Sequence, residues 1–190
     1  MILLILGLLL WTAAHYFKRI APGARAGLTD KMGNGAKGLF AALIVLSIVL
    51  IVLGHRANDF IPVWNPPSFM GHINNLLMLL AFYVYGSSAA KGEKVWIATK
   101  IRHPQLTAVK IWAVAHLLAN GDLSSMILFG GLLAWAVGSV ILINRAEGPW
   151  TPLPQAPMKR EIRLVIISVV LFVVVAAIHI WLGVNPFGGV

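Results

Sequence analysis

Six histidines carry most of the chemical range of a 190-residue chain that contains no cysteine. Without thiols there is no disulfide, no thiolate metal site and no cysteine nucleophile, so a metal or cofactor must be held by His, Met or oxygen. His15, His116 and His179 fall inside apolar runs, His55 and His72 lie at run ends, and His103 opens one. Ionisable groups inside a bilayer are costly, which makes each of these residues a functional candidate. A neutral imidazole can ligate a metal or haem iron, and two of them from different helices can hold one haem from both faces. His15 and His116 are the most deeply placed pair, each slightly past the middle of its run from opposite sides. The competing reading for all six is interhelical hydrogen bonding or headgroup contact.

A second chemical feature is the segment RHPQLTAVKIWAVAHLLANGD over residues 102–122. Pro104 suits a first helical turn, where its missing N–H costs nothing. Arg102 and His103 precede it at the boundary. Lys110 lies about 9 Å into that helix, within snorkelling reach of the interface. If it faces the bundle instead, Lys110 and Arg102 can bind a carboxylate such as a haem propionate. Met78, Tyr83, Tyr85 and Trp135 read as packing or interfacial anchors, and Gly130, Gly131 and Gly138 allow close helix approach. Asp30, Asp59, Glu93, Asp122, Glu147 and Glu161 are scattered over connections. No paired carboxylates, catalytic triad or phosphate loop is present.

The elements that must position these residues are membrane spans. Hydrophobic residues make up 59% of the chain and charged ones 11%, more apolar surface than one soluble core can absorb. The runs cover residues 2–17, 38–53, 70–90, 104–119, 123–144 and 162–182, separated by Gly, Pro and Asn breakers. The reading is an all-α polytopic membrane helix bundle of about six transmembrane helices, forming one domain over residues 1–190, with four spans as the alternative. The first, second and fourth runs are short for a bilayer and must recruit flanking residues. Lys and Arg crowd connections one, three and five, while connection two has only Arg56 and connection four none. This alternation puts the odd connections in the cytoplasm and both termini outside it. The positive charges follow the first run instead of preceding it, which favours a retained helix over a cleaved signal peptide. Because the +9 charge is dispersed over loops instead of forming a basic stripe, nucleic acid is not an expected partner; the lipid bilayer is.

The 102–122 segment, with His15-Tyr16-Phe17-Lys18-Arg19 closing the first run, resembles the NnrU family of bacterial membrane proteins over almost the whole chain. That resemblance implies a bacterial inner (cytoplasmic) membrane protein linked to denitrification, with nitrite or nitric oxide reductase components as partners. The 15-cis-zeta-carotene isomerases belong to the same superfamily and are haem b proteins. By position, the resemblance implies His15 and His116 as iron ligands. The isomerase branch has a Cys three residues before the second of these histidines; here it is Ala113, so chemistry that uses that thiol is not expected. A weaker resemblance, carried by Arg102-His103-Pro104, runs to isoprenylcysteine and phospholipid methyltransferases, which use acidic residues beyond the following helix to hold S-adenosylmethionine. Only Glu147 and Glu161 stand there. A non-catalytic assembly or regulatory factor for the reductases is the third reading.

Overall fold

In hydrocarbon every backbone N–H and C=O must be satisfied within the chain, and an apolar run without proline does this as a helix. A computed structural model describes residues 1–89 and 92–187. Among these residues the α-helices are α1 (Ile2–Ile20), α2 (Pro22–Met32), α3 (Gly35–Arg56), α4 (Met70–Gly86), α5 (Pro104–Ala119), α6 (Leu123–Glu147) and α7 (Met158–Trp181), with a short 3-10 helix at Trp96–Thr99. Only isolated β-bridges accompany them. By length and composition α1, α3, α6 and α7 can cross a membrane; α4 and α5, at 17 and 16 residues, are shorter. Ala90 and Lys91, expected at the end of the third run and in the third connection, lie outside the described residues.

Two expectations need correcting. The first connection is not simply a loop: Pro22 starts α2, and the Arg25 guanidinium sits 4.3 Å from the centre of the Phe40 ring on α3. The acidic residues are not all in loops either, since Asp30 is in α2, Glu147 ends α6 and Glu161 lies in the first turn of α7. The short first and second runs recruit flanking residues as anticipated, reaching 19 and 22 residues as α1 and α3; the fourth does not, because Pro104 and the extended Asn120 hold α5 to the 16 residues of the run itself.

The helices pack as a row in the order α3, α1, α6, α5, α4, α7. The α1–α3 crossing is close because both partners offer glycine. A Cβ on Gly7 would come within 2.8 Å of Ile51, and one on Gly54 would collide with the Leu4 backbone. Leu4, Leu8 and Ile51 form the core of this crossing.

Successive long helices run antiparallel between two ends. At one end Val63 and Trp64 N–H donate to the Gly121 carbonyl, Leu123 N–H donates to Ile61, and the Met1 amino group meets Asn58. At the other end Lys94 N–H donates to Pro154 and Ala156 N–H donates to Lys94, while Arg19 and Arg102 reach Glu147. The loops therefore sort into the two sets that the charge alternation separates, with the Lys- and Arg-rich connections together at one end.

Candidate functional site

The helical register of α1 places His15 one turn after Trp11. Its Nδ1 lies 2.8 Å from the Trp11 carbonyl. Because a carbonyl only accepts, Nδ1 carries the proton and Nε2 keeps the lone pair, the arrangement found in metal-ligating histidines. The ring stacks at 4.1 Å on Trp11 and meets the Trp135 edge at 5.0 Å, and the two indoles touch at 5.2 Å. Both indole N–H groups are buried without a hydrogen-bond partner. A buried donor of this kind costs about 1–3 kcal/mol when unmet, so the two indoles and the imidazole form a cluster between α1 and α6 whose hydrogen-bonding capacity is not met. Next to it the Tyr16 hydroxyl donates to the Trp135 carbonyl at 2.7 Å and fills the space left by Gly138.

His116 repeats the design on α5. Its Nδ1 lies 2.9 Å from the carbonyl of Trp112, again four residues earlier, and its ring packs on Phe129 of α6 at 4.6 Å and Trp112 at 5.3 Å. On α7, His179 Nδ1 bonds the Val175 carbonyl at 2.7 Å. Three histidines within helices thus present Nε2. The others differ in setting: His55 Nδ1, near the end of α3, lies 3.2 Å from the Ser124 hydroxyl, His103 Nε2 lies 2.8 Å from Asn144 Oδ1, and His72 is exposed at the start of α4.

The two sequence-favoured histidines do not meet in the structure. His15 packs on Trp135 and His116 on Phe129; six helical residues separate these contacts, about 9 Å along α6. Nor do the two favoured cations join them. Arg102 donates to the Gly148 carbonyl at 2.5 Å and pairs with Glu147 at 3.4 Å, at the cation-rich end. Lys110 is half-buried on α5 and has no hydrogen bond or ion pair among the described residues, so its ammonium is available to a carboxylate.

Glu147 binds Arg19 at 2.9 Å as well as Arg102, and so ties the end of α1 to the start of α5 through α6. With its carboxylate shared between two guanidiniums, and with His103 held by Asn144, this corner is a structural clasp. A cavity of about 280 Å³ beside it is lined by Lys94, Arg102, Pro104 and Trp150. At the opposite end a larger cavity, about 510 Å³, is lined by Trp64, Asn65, Asn120 and Asp122. Asp122 caps α6, accepting from Ser125 N–H at 2.9 Å and from the Ser124 hydroxyl at 2.6 Å. Burial opposes ionisation of Asp122, but the Ser124 and Ser125 hydrogen bonds outweigh it and hold the carboxyl below its ordinary value.

Among the described residues no group of three or more His, Cys, Asp or Glu side chains converges on a common point. A bare ion, which needs four or more protein and water ligands, is poorly served by such a set. Haem brings four nitrogens of its own and asks only for one or two imidazoles. The donors therefore suit haem in chemistry, one histidine at a time.

The family described as NnrU protein matches residues 3–186. The chain belongs to the NnrU family. No curated protein and no solved structure matches it. The NnrU match spans every long helix from α1 to α7, so the whole row is the family's unit and not an appendage to it. Sequence reasoning passed over two signals that bear on this NnrU site. Trp-x-x-x-His occurs twice, at Trp11/His15 and Trp112/His116, and it marks an aromatic ring and a carbonyl one turn before each imidazole. His179 stood among the candidate histidines but was not singled out with His15 and His116, because it lies near the end of its run.

Proposed function

We propose that this NnrU-family chain is a six-span protein of the bacterial inner membrane, termini outside the cytoplasm, that holds haem b on intramembrane imidazoles and serves nitrite and nitric oxide metabolism. The observation that carries the haem reading is the tethering of Nδ1 to a carbonyl one turn back, which leaves Nε2 of His116, and of His15, as a fixed lone-pair donor among aromatic rings. His15 is the second ligand that the family resemblance implies. Lys110 is the cation left to receive a propionate; Arg102, already engaged by Glu147 and Gly148, is the weaker candidate. Haem, when bound, supplies one-electron chemistry. Two imidazoles would fill both axial positions of its iron, which favours electron transfer to a reductase partner over turnover of a substrate, and the absence of cysteine argues against a thiol-switched isomerase.

The methyltransferase reading is weaker, because Glu147, the acid nearest Arg102, is engaged by two arginines. The test is the absorption spectrum of detergent-purified protein, oxidised and dithionite-reduced. A six-coordinate b-type spectrum in wild type that is altered in His116→Ala supports the reading. A colourless protein that stays colourless with added haemin overturns it and leaves the assembly-factor reading in front.

A further inference from the structure

At the cation-rich end three segments close around the cavity of about 280 Å³: the connection before α5, the first turn of α5 and the segment that follows α6. Backbone pairing fixes their positions. Lys94 N–H donates to the Pro154 carbonyl at 2.8 Å and Ala156 N–H donates to the Lys94 carbonyl at 2.7 Å, so the segment after α6 runs alongside Lys94. Arg102 Nη1 donates to the Gly148 carbonyl at 2.5 Å and ties the start of that segment to the entry of α5. Lys94 Nζ donates to the Ser88 carbonyl at 3.3 Å, which draws the chain just after α4 into the wall. Both cations are therefore held by backbone carbonyls before any ligand arrives, and a preorganised site loses less entropy on binding.

The wall has a definite polarity. Lys94 and Arg102 are the charged residues that line it, and no carboxylate is among the lining side chains. Glu147 meets Arg102 from outside that lining, at 3.4 Å, and is shared with Arg19, so one carboxylate answers two guanidiniums. The Arg102 side chain is only 18% exposed, and an anion is attracted more strongly there than in open water because screening is weaker. Trp150 and Leu153 add an apolar flank and are themselves exposed, so the flank continues to the protein surface. Indoles favour the headgroup level of a bilayer, and basic cavities between helices at that level take phosphate headgroups. The volume lies below the range of about 300–1,000 Å³ usual for cofactor sites, which suits a headgroup and not a nucleoside. The lack of a lining acid also disfavours a cationic sulfonium.

We propose that Lys94 and Arg102 form a phosphate site between the connection before α5 and the segment after α6, and that it takes the phosphate of an anionic phospholipid, with Trp150 and Leu153 against the glycerol and upper acyl carbons. The site does not depend on the haem reading.

The test is thermal unfolding of the full chain, without added haem, in neutral detergent. Dioleoylphosphatidylglycerol is compared with dioleoylphosphatidylcholine, whose choline cancels the phosphate charge, and sodium phosphate with sodium chloride at equal ionic strength. Phosphatidylglycerol is expected to raise Tm by several degrees more than phosphatidylcholine. Lys94→Gln, whose amide can still donate to the Ser88 carbonyl, should lose most of that difference. Lys94→Arg, which keeps the charge, should retain it, as should Lys31→Gln, which removes an exposed cation from α2. Wild type should also co-purify with about fivefold more phosphatidylglycerol than Lys94→Gln, the worth of one lysine at an anionic surface, counted by mass spectrometry. If sodium phosphate stabilises through Lys94 and phosphatidylglycerol does not, the site stands and its phosphate comes from a soluble source. If neither stabilises, or if Lys31→Gln weakens the effect as much as Lys94→Gln, the charge of the whole face is responsible and the inference fails. Colour plays no part in these readouts, so their failure and that of the haem reading are separate results.

Discussion

A histidine whose Nδ1 is tied to the carbonyl four residues back can offer iron only Nε2, and its ring cannot turn away without losing that bond. Phenylalanine at Trp11 therefore keeps the carbonyl and the tautomer but removes one unmet indole N–H beside His15. The expected outcome of Trp11→Phe is unchanged or slightly raised thermal stability in detergent, because the donor it deletes has no partner. Tyr16→Phe is expected to act the other way, costing about 1 kcal/mol through loss of the hydrogen bond to the Trp135 carbonyl, measured by thermal or denaturant unfolding. Asp122 gives a pH signature. Its carboxyl is held below the ordinary value of 3.8, so its stabilising contribution is complete above that pH and disappears as pH falls through the depressed folded value. Wild type should lose thermal stability over that acidic window. Asp122→Ala should start less stable by about 1 kcal/mol, the usual size of a lost cap, and show a shallower acid decline. At this scale the sequence made residue types legible: His15 and His116 stood out because a polar ring in an apolar run is rare. Their partners did not stand out, because whether an imidazole meets Trp135 or Phe129 depends on rotations and offsets of helices that no local pattern encodes.

Between helices, small residues decide how closely the axes approach. Gly54 faces the Leu4 backbone so closely that no side chain fits, and Gly7 faces Ile51 in the same crossing. Gly54→Val should force α1 and α3 apart and destabilise the protein by several kcal/mol, in the range of severe overpacking. Gly130→Ala, where nothing lies within 4 Å of the added carbon, should leave the melting temperature within a degree or two. The pair is checked by parallel melts of purified protein. Gly130, Gly131 and Gly138 were legible as contact candidates on α6, yet only the latter two face a neighbour, Leu8 and Tyr16 respectively. Gly7 and Gly54 attracted no notice because isolated glycines carry no spacing signal. The helix starts and stops were clearer: Pro104 and Asp122 open α5 and α6 where proline and an N-cap acid belong. The helix α2 escaped because its sequence, PGARAGLTDKM, has neither an apolar stripe nor a run long enough to mark it.

Across the whole molecule, charge was the most readable quantity. The alternation of basic and nearly neutral connections separated the loops into the two sets that the structure gathers at opposite ends. What charge could not reveal is the lateral order of the helices, in which α1 and α5 both lean on α6 although α1 is made first. That order has a consequence for biogenesis. When α1 and α3 emerge they can pair at once through their glycines, and α4 and α5 can form a second pair, but the two halves share almost no direct surface. Arg19 must wait for Glu147, 128 residues later, and the indole-lined face of α1 stays turned to lipid until Trp135 arrives. A translation product ending before residue 123 would thus hold two helix pairs, α1 with α3 and α4 with α5, with little to join them, and α6 is the segment whose arrival turns them into one protein.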